Sequence, residues 1–446
     1  MTTQTTASTS ASPQSGMRTW VAIWAGQFAS VIGSEVSAFA LGVWAFRETG
    51  SATSFTLIMF FAQLPIVLLV PFAGALVDRW DRRRTLMAAN VLGAAAMAGL
   101  GVLVLTGVFR IWHIYPVIGL VAVANAFYWP AYASVPPLLV PKAQLGRAAG
   151  MVELASAAAK TLAPVLATLL VEAVLLAGIV LIDAGTFLVS IAALWLVRIP
   201  SPRGGAPARH GSLIADVREG WRYLVGRPAL VRLLLFFMAI NVFFSFALVL
   251  GVPLVASFAS AGVVGLTTSA GVAGLLLGGV VMSLWVGPKR KVYGVVVAGL
   301  LLGVSTVLAG LRPSAPLVAA ALFGLYFFIP VINSCSQAIW QAKVPLELQG
   351  RVFALRRTLA TSTAPVGFLT AGLLADRVFG PMMLPGGALA DSPARLLGVG
   401  PGRGIALMFV LVGVACVLVG AAGLASSRLM RIDIDLPDAV PDRPHR

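Results

Sequence analysis

Ionisable side chains inside long apolar runs are the residues in this sequence with chemistry to do. Glu35 stands about midway through the apolar stretch between Arg18 and Arg47. Glu153, Ser156, Lys160 and Pro164 recur at i, i+3, i+7 and i+11, so they share one face of a helix. Asp183 lies in the first part of a further apolar run. At the centre of a bilayer a charged side chain costs at least about 2.5–3.5 kcal/mol, so such groups face a cavity or a partner and mark the path of an ion or substrate. The chemistry offered is reversible protonation, which makes Glu35, Lys160, Glu153 and Asp183 candidates for proton coupling. At 1.5 Å per helical residue, Glu35 and Lys160 sit roughly 25 and 20 Å in from Arg18 and Arg147, close enough in depth to interact. Two readings stand side by side: a carboxylate that exchanges protons as a carrier switches, or a static buried ion pair that ties two helices together. The polar stripe Gln27, Ser30, Ser34 and Ser37 points about 120° away from Glu35 by helix periodicity, which would turn Glu35 toward a neighbouring helix.

Positioning these groups is the task of membrane helices. Of 446 residues 59% are hydrophobic and 11% charged, with mean hydropathy +0.94, against about 25% charged in soluble domains. The net charge of +16 does not read as a nucleic-acid surface, because the basic residues sit in short loops between apolar runs and not on a solvated face. Cys335 and Cys416 fall inside apolar runs and His113, His210 and His445 form no cluster, so no disulfide framework, metal site or cofactor is expected. Residues 1–16 are rich in Ser, Thr and Ala without the basic-then-apolar order of a signal peptide and read as a disordered cytoplasmic tail.

A bilayer core needs about 20 apolar residues per helix, which gives about twelve spans, near 19–45, 54–77, 85–108, 112–137, 148–173, 176–198, 230–257, 263–286, 293–311, 315–340, 353–375 and 404–425. Basic residues crowd the loops on one side, whereas the other side holds only Arg47, Arg110, Arg312, Arg377, Arg395 and Arg403. The positive-inside tendency then puts both termini in the cytoplasm. The chain divides into a six-helix half over 17–198, a linker over 199–228, a second six-helix half over 229–427 and a tail over 428–446. In the linker Leu213, Val217, Trp221 and Leu224 mark an amphipathic helix at the inner interface, read either as a passive tether or as a regulatory element.

Between spans 2 and 3 runs Gly74-Ala-Leu-Val-Asp78-Arg79-Trp-Asp81-Arg82-Arg83-Arg84. This turn resembles the loop between helices 2 and 3 of the major facilitator superfamily, with Asp81 where the commoner pattern has glycine. Val140-Pro141-x-x-x-x-Gly146-Arg147 returns as Val344-Pro345-x-x-x-x-Gly350-Arg351, each ahead of a span containing Ala-Pro (Ala163-Pro164 and Ala364-Pro365), as expected of parallel six-helix repeats. Leu-Ile-Asp183-Ala-Gly-Thr-Phe, Asp216-Val-Arg-Glu-Gly220-Trp-Arg-Tyr and Ala375-Asp376-Arg377 are similar to text of the branch holding enterobactin exporters and macrolide efflux proteins.

The resemblance implies an all-α, polytopic major facilitator fold in a bacterial inner membrane. It implies a monomeric, non-enzymatic secondary transporter that exports a bulky amphipathic small molecule in exchange for protons. A uniporter, an importer or a carrier-like sensor of the same fold is the alternative. It also implies a central cavity, for which Gln27, Ser34, Asn125, Tyr128, Asn241, Phe244, Asn333 and Gln337 are the substrate-contact candidates, with interhelical packing the competing role for each. The turn itself has a mechanical reading: the Asp78 carboxylate, with Gly74, Arg79, Arg82 and Arg83, held against the positively polarised start of span 11 and its Arg356 and Arg357, would latch the two halves in one state, beside the plainer role of the arginines as a topology anchor. Two departures stand out. Span 5 carries Ala163-Pro164-Val-Leu-Ala167 without the glycines common in exporters, and span 4 lacks the arginine of proton-coupled drug antiporters.

Overall fold

Hydrocarbon offers no partner to a backbone N–H or C=O, so an apolar run closes its hydrogen bonds on itself as helix. The computed structural model, described over residues 13–77, 80–141, 144–197, 199, 213–285, 287–390 and 397–439, contains twelve helices long and apolar enough to cross a membrane. Spans 1 to 4 are Pro13–Thr49, Ala52–Val77, Arg82–Leu105 and Ile114–Ala133. Spans 5 and 6, Gly150–Val171 and Ala173–Leu196, follow one another with no loop, the chain reversing where Leu175 leaves helical geometry at φ 57°. The linker helix is Leu213–Val225. Spans 7 to 12 are Pro228–Ala256, Ala261–Leu284, Lys291–Leu311, Ala315–Lys343, Leu346–Leu374 and Arg403–Ala425.

The termini of these helices show why the loops read as they do. Span 3 begins at Arg82 because Asp81 caps it, its carboxylate accepting from the Arg84 N–H at 2.8 Å. That is the physical use of an aspartate where the related pattern has glycine. Arg83 donates to the Leu194 and Trp195 carbonyls at 2.9 and 2.7 Å, satisfying acceptors that the last turn of span 6 leaves open. Span 11 does not stop at Leu374 but continues through a π-helical turn, Ala375–Phe379.

Spans 1–6 pack among themselves and spans 7–12 among themselves, joined mainly where span 2 meets span 11 and span 5 meets span 8. The repeat extends to interior prolines, with Pro130 and Pro164 in spans 4 and 5 matched by Pro330 and Pro365 in spans 10 and 11. The linker helix packs on spans 7 and 11. Its Glu219 pairs with Arg351 and its Tyr223 hydroxyl donates to the Lys343 carbonyl at 2.8 Å. Tyr223 and Leu224 are buried against the protein while Trp221 is 52% exposed, so Leu224 of the expected stripe packs inward and Trp221 points away from the bundle. The side chains of Leu213 and Val217 lie outside the described set.

Candidate functional site

Within the first half, spans 1 to 6 enclose a cavity of about 390 Å³ lined by Gln27, Ser34, Glu35, Asn125, Tyr128, Lys160 and Asp183 together with Gln63, Asn90 and Ser156. Each wall has a local cause. Ser30, Ser34 and Ser37 recur every three or four residues along span 1, which keeps small hydroxyls on one side and lets spans 5 and 6 approach. Ser34 donates to the Asp183 carboxylate at 3.1 Å, and Thr186 lies 3.3 Å from the same oxygen. Asp183 is thus buried yet hydrogen-bonded, as an interior acid must be. Tyr128, stacked on Tyr132 with ring centroids 5.4 Å apart, donates to the Gln27 side-chain oxygen at 2.6 Å. The Gln27 amide nitrogen is left buried with no partner. Asn90 accepts from Ser190 at 3.1 Å and donates to Leu86 at 2.8 Å.

Glu35 lines this same cavity as Gln27, Ser30, Ser34 and Ser37, in contrast to the periodicity argument that turned it away. The cavity wraps around more than one face of span 1, which a helical wheel drawn for one helix cannot represent. Glu35 and Lys160 both line it, but the two do not meet as an ion pair within 4.0 Å. The side chain of Glu153 lies outside the described set.

The second-half candidates are not gathered into this cavity. Asn241 donates to the Phe237 carbonyl of its own helix at 2.9 Å, and Phe244 meets Tyr326 edge to face at 6.1 Å. Asn333 is exposed. Gln337 accepts from Arg356 at 2.7 Å, and the Arg356 guanidinium lies over Trp340 and Phe353. Arg356 therefore serves its own half here. Arg357 is exposed and Arg82 half-buried. Asp78 and Arg79 lie outside the described residues, and Gly74 is described only as part of span 2, so the expected latch has no described partner. Gln63 and Asn90 are cavity residues that the sequence reading passed over, although a lone amide in the middle of spans 2 and 3 was the available signal.

At the end of the bundle opposite the arginine turn the halves are closed on each other. Val43, Phe46, Ala52 and Phe55 of the first half join the large buried core of the second. Ser269 donates to the Thr161 carbonyl at 2.6 Å and Thr168 to the Ala261 carbonyl at 3.4 Å. Ser51, Ala52 and Thr53 at the start of span 2 bond to Asp376 beyond span 11.

Two six-helix halves closed at one end, with ionisable and amide side chains around an interior cavity, define a membrane carrier. A family model described as Major Facilitator Superfamily matches residues 23–368, and the chain belongs to that superfamily of transporters, which bind small-molecule substrates. It is 28% identical to macrolide efflux protein A of Streptococcus pyogenes over 370 residues, 80% of this chain and 89% of that protein. It is 26% identical to the multidrug efflux pump Tap of Mycolicibacterium fortuitum, over 74% of this chain and 82% of that one. Among solved structures, a bacterial homologue of the lysosomal transporter Spinster in an inward-facing, unoccupied conformation superposes with TM-score 0.70 at 14% identity, over 95% of this chain and 99% of that one.

Proposed function

We propose that the protein exports a bulky amphipathic small molecule, of the macrolide class named for its relatives, across a bacterial inner membrane in exchange for protons. In this topology the arginine-rich end and both termini face the cytoplasm and the closed end faces outward. The observation that carries the reading is the first-half cavity, where Glu35, Asp183 and Lys160 sit together inside a membrane-spanning bundle. Ionisable groups are retained at such depth where ions or protons move. The amides and aromatic rings beside them suit a substrate with both polar oxygens and apolar surface. The latch expected at Gly74, Asp78, Arg79, Arg82, Arg83, Arg356 and Arg357 remains part of the proposal as the closure of the cytoplasmic end in the opposite state.

Everted membrane vesicles test this. Imposing an inside-acid gradient should drive accumulation of a radiolabelled macrolide, and a protonophore should abolish it. Glu35→Gln or Asp183→Asn should reduce accumulation to the protonophore level while leaving substrate exchange without a gradient intact. Full gradient-driven accumulation in both variants would remove the coupling role. Equilibration of the macrolide without accumulation, unaffected by the protonophore, would identify a uniporter, and movement in the reverse direction an importer.

A further inference from the structure

The first-half cavity has a side recess whose residues the ionisable groups do not account for. Gln27, Val31, Tyr128, Trp129 and Ser156 line both that cavity and a smaller pocket between spans 1, 4 and 5, so they stand where the two join. Trp129 is 41% exposed and is held nearly at right angles to Tyr128 and Tyr132, with ring centroids 5.7 and 6.2 Å away. An indole with much of its surface uncovered is thus fixed on the cavity wall. Beside it Gln27 is 3% exposed; its oxygen is taken by the Tyr128 hydroxyl, and its amide nitrogen has no partner. Buried donors without a partner are few in folded proteins, and each calls for a reason. Gln63, Asn125 and Ser156, on spans 2, 4 and 5, line the same cavity and make no side-chain hydrogen bond among the described residues, whereas Asn90 and Asp183 are already committed.

We propose that this junction is a glycosyl subsite: it takes a sugar ring carried by an otherwise apolar substrate, laid on Trp129, with a ring or hydroxyl oxygen accepting from Gln27. The inference rests on the cavity being the substrate site, as in the export function proposed above, and adds which part of the substrate enters it. Size is one reason. At about 390 Å³ the cavity is near the lower end of the roughly 300–1,000 Å³ range of small-molecule pockets, so it holds one unit of a bulky molecule and not the whole. Hydrogen-bond accounting selects the unit. The free Gln27 nitrogen needs an acceptor; an ammonium group is itself only a donor, and an apolar arm has no lone pair, whereas hydroxyl and ether oxygens accept. A hydroxyl also donates, so one polyhydroxylated ring can meet Gln27, Gln63, Asn125 and Ser156 in either sense. The indole supplies the rest, because its face is negative and attracts the weakly positive C–H groups on one side of a pyranose.

The test measures equilibrium binding to full-length protein in lipid nanodiscs with no gradient, so its outcome is separate from proton coupling. The probes are two radiolabelled pairs, each a glycoside and its own sugar-free aglycone: an amino-sugar macrolide and a neutral steroid glycoside. Each glycoside should bind about tenfold more tightly than its aglycone, as expected when the sugar adds a ring contact and a hydrogen bond. W129A and W129L should each weaken glycoside binding about five- to tenfold and leave aglycone binding unchanged, which also shows that the variants are folded. W129F keeps a ring face and should stay within about threefold of the parent. A loss that falls equally on glycoside and aglycone would overturn the proposal. A preference for the sugar confined to the amino-sugar macrolide would overturn it too and identify an ammonium site. Binding of the steroid glycoside without the macrolide would keep the subsite and refute the macrolide class, macrolide binding indifferent to its sugars would do the reverse, and binding of neither glycoside would refute both.

Discussion

Gln27 offers the sharpest test of the first-half cavity, because its surroundings are incompletely satisfied in a way that has a sign. The side chain is 3% exposed, its oxygen is held by Tyr128, and its amide nitrogen has no partner. A buried donor left unsatisfied costs about 1–3 kcal/mol, whereas a satisfied bond contributes about 0.5–1.5 kcal/mol, and in membrane interiors such bonds average about 0.6 kcal/mol. Gln27→Leu removes the orphan amide donor but leaves the Tyr128 hydroxyl an orphan in its place, so the net loss is the one bond and thermal stability in detergent should fall by less than about 1 kcal/mol. Tyr128→Phe leaves both Gln27 polar atoms buried and unpaired and should destabilise by about 1–2 kcal/mol. The double variant should recover most of that loss. If the free amide exists to meet an acceptor oxygen on the substrate, Gln27→Leu should also weaken macrolide binding by about tenfold, the equivalent of about 1.4 kcal/mol, despite its nearly unchanged melting temperature. Melting curves and equilibrium binding on the three variants decide it. A Gln27→Leu protein that melts early and binds normally would show the pair to be packing glue between spans 1 and 4 and would refute the argument.

Two further outcomes follow from the closed end and from the tail. A β-carbon at Gly265 would lie 2.7 Å from the Pro164 carbonyl oxygen, so Gly265→Ala should push span 8 off span 5 at a cost of about 1–3 kcal/mol to the closed state. In lipid nanodiscs, nitroxides on cysteines introduced at the exposed positions Val108 and Val399 of opposite halves would then report a longer distance in most molecules, and an unchanged distribution would mean that the interface yields without opening. Lys343 is 4% exposed and its ammonium meets Asp438 at 2.8 Å and the Leu436 carbonyl. Deleting residues 432–446 should therefore destabilise by about 3–5 kcal/mol, as loss of a buried charge's partners does. Asp438→Asn, at a half-exposed partner, should cost no more than about 1 kcal/mol, and equal melting of the truncated and full chains would contradict this reading.

The membrane class, the number of spans, their grouping by sixes and the chemical identity of the cavity groups are legible without coordinates. Each depends on local quantities: an apolar run long enough for the bilayer, a basic loop that cannot enter it, a carboxylate inside such a run. The superfamily is legible in the turn from Gly74 to Arg84 for the same reason, since a motif is a local pattern. Glu35, Asp183 and Lys160 declared themselves because an ion in hydrocarbon is conspicuous. Gln63 and Asn90 did not, because one amide in an apolar helix is as compatible with packing as with a cavity.

What the tertiary structure decided is where these residues stand relative to one another. Span 1 faces the cavity with more than one side, so Glu35 and the serine stripe line the same space, a relation fixed by five other helices and absent from the periodicity of one. Arg356 turns to Gln337 and Trp340 within its own half, and Asp376, one carboxylate among sixteen acidic residues in the sequence, caps a helix 325 residues away. Helix periodicity relates residues a few turns apart; contacts between helices depend on how the whole bundle closes, and that closure differs between the states of a carrier. The sequence by itself therefore determined the helices and the chemistry they carry, and only the packed bundle decided which of those groups meet, because meeting is a property of pairs of surfaces and not of either chain segment alone.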